Sequence, residues 1–558
     1  MPQSCRAFKR GGKKKKLQDF LGLSSHNHPF IMAHEQSKIA AVFFSEFDMK
    51  SGYKLLWSNT MKDISLEGIE YKSFPSGIHD LQEATVFLSH ESNNKLLYGL
   101  SCFKQFAIDQ SKTDDRDNLK MYSVGIICEP KQSDWKPNEF INNGWEYIED
   151  LKSALDTIEA DTIRNSESGI ETNLDLTKIG KNLQQIGSGK SSLNIPGTEP
   201  SKGKHLLLNL PQMFETLGPL VFAIYKQSLL RKNILLFNEV HLNSEEGATK
   251  KDNYSLLSSF SYLISVLSVV PKSAKLPSPG LYSQQPLYNI GLNELSSKLL
   301  QQFQKSENGY IAVTSDEILK DHPIYDVGVE ISDTIKVFNR DKTGIKATIR
   351  DYHKFQVLYS DLVTENLSFT NNSNVSTDDL NSVTSRTGND ENSIQSSHVA
   401  AKMYADISPR IDNEPQWWQH DAVEPVSWTE SIWSAFSWFA SAGQQLNIEE
   451  ESPDVKLNKQ IDLLDLLHVV GYFHQLTSKW LNYVDEAINE EYQNNYDSED
   501  EQLINKIGLR LSYQDMIDME LDPYSQQDVQ FLKEFVMMYY QDRVESVEVG
   551  YNLGNICC

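Results

Sequence analysis

The sequence is short of the features that would announce a function directly. Its 558 residues hold five cysteines, at Cys5, Cys102, Cys128, Cys557 and Cys558, too few and too scattered for a disulfide framework. No apolar run approaches the roughly 18 to 20 residues that span a bilayer. The opening stretch MPQSCRAFKRGGKKKKLQDF carries charge with no apolar segment behind it, so neither a signal peptide nor a membrane helix is expected there. A cytosolic or nuclear protein is the expectation, in which the sequons at Asn366, Asn371 and Asn374 are irrelevant. Positive charge is also scarce: 52 Lys and Arg against 77 Asp and Glu give a formal net charge of −25. That balance disfavours a nucleic-acid-binding body, which needs a basic face to neutralise phosphates.

Catalytic patterns are missing too. There is no Gly-x-Ser-x-Gly elbow, no His-Glu-x-x-His helix, no Cys-x-x-Cys pair and no calcium-loop pattern. The stretch QQIGSGKSS imitates a phosphate-cradling loop, but the first glycine of that motif would fall on Gln184, and the flanks read as polar linker. His26, His28 and His34 lie close together without cysteine or carboxylate support, which suits a solvated tail better than a metal site. No metal, cofactor or catalytic acid-base residue is therefore assigned.

What is present divides into ordered blocks separated by two Ser/Asn/Gly/Thr-rich stretches, 162–204 and 364–399, which read as linkers or flexible insertions. In the first block, KIAAVFFSEFD and GYKLLWSN are β-rich runs around a Met-Lys-Ser-Gly turn, a hairpin signature. ATVFLSHE, LLYGLSCFKQF and MYSVGIICEP supply three more strands, and NEFINNGWEYIEDLKSALDTIEA reads as a helix. The second block opens with MFETLGPLVFAIYKQSLLRKNILLFN, read as a helix running into a buried strand, Ile234–Phe237. YSLLSSFSYLISVLSVV is another apolar helix. GYIAVTSDEILKDHPIYDVGVEIS reads strand, helix, strand, with Ser315 as a cap, so an α/β layer is expected. The third block, 455–545, reads as helical: Ile461, Leu464, Leu467, Phe473, Leu476, Trp480 and Val484 make an apolar face, and Ser525 precedes Asp528 at capping-box spacing. Trp428, Trp433, Phe436, Trp438 and Phe439 suit a membrane interface by type, but with Glu430 among them and almost no basic residues, packing against the neighbouring blocks is the expectation.

These blocks, in this order, resemble the DENN-domain family, in its compact LCHN-like branch and the related late secretory pathway protein family. The resemblance rests on FPSGIHDLQEATVFLSH with LLYGLSCFKQ, on LGPLVFAIYKQSLLRKNILLF, LYNIGLNEL and GYIAVTSDEILKDHPIYDVGVEIS, and on GLRLSYQDMIDMELDPYSQQDVQFLKEFV. Gly77 and Gly291 fall at turns within it. It implies an α/β fold of three parts: a longin-like antiparallel sheet domain, a Rossmann-like α/β domain and a helical domain, with disordered insertions. The expected map is a basic flexible tail over 1–37, the longin-like domain over 38–161, a linker over 162–204 and the central domain over 205–363. A disordered insertion over 364–410, the helical domain over 411–545 and a C-terminal tail over 546–558 complete it. The resemblance also implies guanine-nucleotide exchange on a Rab-type small GTPase, the longin and central modules gripping the switch segments of its GDP-bound or nucleotide-free form. No cofactor and no acid-base pair are needed for such work, and a non-catalytic trafficking adaptor of the same fold is the alternative.

Two features point to a membrane surface. Cys557 and Cys558 are adjacent; with Asn555 four from the end they form no prenylation box, and S-palmitoylation is the better chemical reading, an unmodified tail being the alternative. Lys13, Lys14, Lys15 and Lys16, with Lys9 and Arg10, make a basic patch that could bind anionic lipid but, taken alone, reads first as a solvated tail or a localisation signal. Together the two ends imply a cytoplasmic protein held peripherally on an endomembrane or other lipid surface.

Overall fold

The computed structural model describes residues 37–366, 422–424, 463–495 and 506–550, apart from internal stretches of which the longest are 110–117, 131–140, 188–204 and 239–252. Strands β1 (Ile39–Asp48) and β2 (Gly52–Thr60) form the expected antiparallel hairpin. Asp48 closes its turn by accepting the Lys50 and Ser51 N–H groups and the Ser51 hydroxyl, and those Ser51 bonds hold its carboxyl down at about 2. A helical turn, α1 (Ile69–Lys72), then leads into the meander β3 (Glu83–Ser92), β4 (Lys95–Ala107) and β5 (Leu119–Cys128). β5 returns to pair with β1, so β1 is central and β2 is an edge.

Helix α2 (Ile148–Glu167) covers one face of this sheet, but it begins later than the sequence suggests. Gly144 sits at φ 74, a left-handed conformation that suits glycine, and a 3-10 turn over Trp145–Tyr147 precedes the helix. The helix also runs past residue 162, and α3 (Leu176–Gly187) follows within the stretch read as linker. The reason is amphipathicity hidden in polar composition: Ile179, Leu183 and Ile186 are buried at helical spacing, and a Cβ on Gly180 would strike the Trp57 indole.

The apolar run that opens the second block is two helices, α4 (Leu210–Leu217) and α5 (Leu220–Leu229), bent by 116°. Gly218 and Pro219 break it: Gly218 takes φ 55 with an extended ψ, and Pro219 has no N–H to continue the ladder. α5 is buried on nearly every side, so its face includes the buried Lys226 and Ser228 beside its apolar residues. Strand β6 (Ile234–Asn238), helix α6 (Asn253–Leu267), and strands β7 (Gln285–Asn289), β8 (Tyr310–Thr314) and β9 (Val327–Ile331) follow. β7, β8, β6 and β9 are mutually parallel, and β10 (Ile335–Asn339) and β11 (Gly344–Ile345) finish the edge antiparallel. The short helix between β8 and β9 is a 3-10 turn, Glu317–Asp321, whose N-cap is Asp316 rather than Ser315. Helix α7 (Ile349–Asn366) leaves the sheet and runs past residue 363.

Antiparallel and parallel halves are one eleven-stranded sheet, ordered β11-β10-β9-β6-β8-β7-β3-β4-β5-β1-β2. The α/β class and the two expected sheet types are therefore present, joined along β3 and β7. The third block is less purely helical than expected. Helix α8 (Leu463–Asn495) buries Leu466, Val470, Phe473, Trp480, Val484 and Ile488, so the apolar face is as read from Phe473 onward and shifts to Leu466 and Val470 before it. Of the residues read for that face, Leu467 is half-buried against the core, while Ile461 and the Leu464 side chain lie outside what is described. A parallel ribbon, β12 (Ile507–Ser512) with β13 (Val544–Gly550), encloses α9 (Tyr513–Asp518) and α10 (Gln526–Tyr539). The reciprocal capping box is at Ser512 and Asp515; Ser525 accepts the Asp528 N–H, but the Asp528 carboxylate is used elsewhere. The aromatic cluster from Trp428 to Phe439, His26, His28, His34 and Gly77 lie outside the described residues.

The third block is keyed into the second. Tyr225 donates to the Phe473 carbonyl at 3.0 Å, Tyr539 to the Leu229 carbonyl at 2.9 Å, and the His474 ring bonds the Val266 carbonyl at 2.8 Å. At the centre, Lys226 of α5 donates to Asp351 of α7 at 2.6 Å and to Asp528 of α10 at 2.5 Å, all three side chains buried. Lys354 pairs with Asp351 from the other side at 3.1 Å. Burial opposes every one of these charges, yet the two carboxylates carry Lys226 above its ordinary range, and Lys226 with Lys354 pulls Asp351 down to about 2. Asp528 goes the other way: burial and the charge of Asp351 push it up, against the attraction of Lys226.

Candidate functional site

Nothing among the described residues gathers three or more His, Cys, Asp or Glu side chains into a metal-binding group. The residues before the GSGK stretch, ending at Gly187, are helical where a phosphate loop needs a strand. A cleft of about 160 Å³ lies between α2 and α3, lined by Asp150, Thr157, Asp161, Asn182 and Leu183. It is smaller than the roughly 300 to 1,000 Å³ of ordinary small-molecule sites. Lys13, Lys14, Lys15, Lys16, Cys557 and Cys558 lie outside the described residues.

The seam between the first two blocks is the more informative place. The antiparallel and parallel halves of the sheet meet through one register pair, Leu88 of β3 opposite Tyr288 of β7. Ser89 Oγ donates to the Leu287 carbonyl at 2.9 Å, Tyr98 OH to Gln285 Oε1 at 2.8 Å, and Asn143 Nδ2 to Tyr288 OH at 3.2 Å. Tyr288 is fully buried and adopts φ 56, a left-handed conformation that costs energy for any residue but glycine, at a point where the β7–β8 register shifts. Burial pushes its phenol well above the ordinary range, with the Asn143 bond working against that rise.

In open α/β sheets, binding surfaces form beyond the carboxyl ends of parallel strands. Here those ends carry the loops after β7 and β8. Asp316 Oδ2 accepts the Leu292 N–H at 3.0 Å, and Glu294 Oε2 accepts the Gly291 N–H at 2.9 Å. A Cβ on Gly291 would sit 3.0 Å from Asp316 Oδ2, so the tight approach of the two loops favours glycine. From the first block, Lys72 of α1 reaches Glu294 at 3.7 Å while donating to the Ser89 carbonyl at 3.0 Å. Tyr53 of β2 meets Tyr71 edge-on with ring centroids 5.4 Å apart, and its phenol is pushed up by burial first and by the Asp316 charge second.

These bonds hold three large apolar side chains in the open: Tyr71 is 46% exposed, Leu292 47% and Ile318 56%. They come from α1, the loop after β7 and the loop after β8, on both sides of the seam. Buried polar ties beneath and exposed apolar groups above are what a preformed protein-binding surface requires. LYNIGLNEL and the TSDEIL segment, both within the stretches that carry the family resemblance, build these turns and also hold Leu292 and Ile318. Their exposure carries no signal in the sequence.

An antiparallel sheet block continuous with an α/β block, and a helical block docked behind it, is the architecture of a DENN module, the scaffold of proteins that regulate small GTPases in membrane traffic. The chain belongs to the family of DENN domain-containing protein 11, whose model matches residues 42–341; a second model, for a domain of unknown function, matches 423–466 and 458–557. It is similar to the uncharacterized protein ANR2 of Saccharomyces cerevisiae, 25% identical over 552 residues, 94% of this chain and 95% of that relative. An uncharacterized protein of Schizosaccharomyces pombe is 26% identical over 57% of this chain and 71% of its own length. DENN domain-containing protein 11 of Mus musculus is 29% identical over 37% of this chain and 42% of its own length.

Proposed function

We propose that this protein is a guanine-nucleotide exchange factor for a Rab-type small GTPase, which docks on the seam between the longin-like and central blocks. The observation that carries this reading is the trio Tyr71, Leu292 and Ile318, exposed from both blocks and held over one continuous sheet. Exchange of this kind requires no acid, base or cofactor. A surface that binds the nucleotide-free conformation of its partner better than the GDP-bound one shifts the partner's equilibrium toward release, by as much as that difference in affinity. A rigid seam suits the task, because ties such as Ser89 to Leu287 fix the docking groups before the partner arrives.

The protein acts from a membrane surface in this reading, with acyl chains on Cys557 and Cys558 and the basic run Lys13–Lys16 as its attachments. One acyl chain binds marginally, whereas two, or one with a polybasic patch, hold firmly. Release of a fluorescent GDP analogue from a panel of purified Rab-type GTPases tests the exchange activity. At least one member is expected to respond, and Leu292→Asp to abolish the response while leaving the unfolding midpoint in place. Binding without release would instead make the chain an adaptor of the same fold.

A further inference from the structure

The seam is charged as well as apolar. Glu67 and Glu70 flank Tyr71 on the α1 side, and Asp316, Glu317 and Asp321 bracket Ile318 on the loop after β8. Glu67, Glu317 and Asp321 are exposed, and Glu70 and Asp316 are half-buried. The two lysines in the same segments are engaged inside the protein: Lys72 with Glu294, and Lys320 with Glu330 at 3.6 Å, over the Phe237 ring. Carboxylates therefore border the apolar trio at Tyr71 and at Ile318. That acidic border repels an anionic bilayer, and it opposes pairing with the same seam of a second copy, since a two-fold contact would set carboxylate against carboxylate.

Building on the exchange-factor reading, we infer that the seam selects a GTPase whose docking segment places apolar side chains between Lys or Arg residues. The apolar centre supplies affinity by burial, and the carboxylate border supplies approach rate and choice among otherwise similar GTPases.

The test uses the full chain, wild type and the double variant Glu317→Lys, Asp321→Lys. Both side chains are exposed, so the variant is expected to keep the wild-type unfolding midpoint. Fluorescent-GDP release is followed across the Rab-type panel at about 50 and about 300 mM salt, where the screening length falls from about 14 to about 6 Å. In parallel, each nucleotide-free GTPase is titrated for binding. For a responsive GTPase, the wild-type rate should fall steeply with salt; the double variant should be slower by about tenfold at low salt and nearly independent of salt. A wild-type response with unchanged rate and salt dependence in the double variant overturns the acidic-border inference and leaves the exchange reading standing. A wild-type protein that releases nucleotide from no GTPase and binds none removes both.

Discussion

Replacing Lys226 with methionine strikes the one charge that three helices share. In the native protein the ammonium lies 2.6 Å from Asp351 and 2.5 Å from Asp528, with the side chain 5% exposed and both carboxylates 1% exposed. Methionine fills most of the volume, so the packing loss is small. The electrostatic loss is not: Asp351 keeps Lys354 at 3.1 Å, but Asp528 loses its ion-pair contact and retains the Asp522 N–H at 2.8 Å and the charge of Lys354, which Asp351 engages directly. Breaking a buried pair from one side typically costs about 3 to 5 kcal/mol. The two carboxylates, now facing each other, must also take up protons more readily. Groups whose folded-state pKa is raised above the unfolded value stabilise the fold as pH falls, so the variant should regain stability as pH falls below neutral. Wild type should gain less on acidification, because Lys226 opposes the rise of Asp528 and, with Lys354, holds Asp351 down at about 2. Urea unfolding followed by tryptophan fluorescence reports the change directly, since Trp480 lies in the core formed by α8 and α10. A variant within about 1 kcal/mol of wild type at neutral pH would show that the cluster does not tie the blocks together. So would a deficit that does not shrink on acidification. The wholesale change Lys226→Met, Asp351→Leu, Asp528→Leu should recover much of the loss, because it removes the desolvated charges along with their partner.

Other expectations are separate and smaller. Ser512→Ala removes the side-chain half of the reciprocal cap at α9 and should cost about 1 kcal/mol, read from the unfolding midpoint. Leu183→Ala, at a buried site of α3, should cost about 2 to 5 kcal/mol, and wild-type amides from Ile179 to Ile186 should exchange slowly; fast exchange there would return the segment to a linker. Lys190→Ala should leave nucleotide exchange on the partner unchanged. Cys557→Ser with Cys558→Ser should release most of the protein from membranes in flotation assays while exchange in solution survives; an unlabelled wild-type tail in thioester-sensitive labelling would refute the acyl anchor.

Elements whose pattern is local were legible before folding was considered. The hairpin of β1 and β2 follows from two β-rich runs around a turn that ends in glycine, and the buried strands from short runs such as ILLF and YIAVT. The α/β class, and the family resemblance with it, were legible for the same reason. Elsewhere local signals competed. Gly218 and Pro219 sit inside an apolar run long enough for one helix, and only packing of α4 and α5 against different neighbours makes the break a sharp bend. α3 hid behind the polar composition of its surroundings, because four buried positions per helix are enough for docking but too few to change the average. Strand β7 and the parallel ribbon of β12 with β13 are short, and their pairing depends on partners far along the chain.

Tertiary structure alone decided the candidate site. Tyr71, Leu292 and Ile318 stand far apart in sequence and look like ordinary core residues, and Asp528 looks like half of a helix cap. Their roles arise from what the fold places beside them: an edge where two half-sheets join, and a buried lysine on a different helix. Periodicity records which face of an element is apolar. It does not record which apolar side chain the folded chain leaves uncovered, because that depends on the shapes of all the other elements at once.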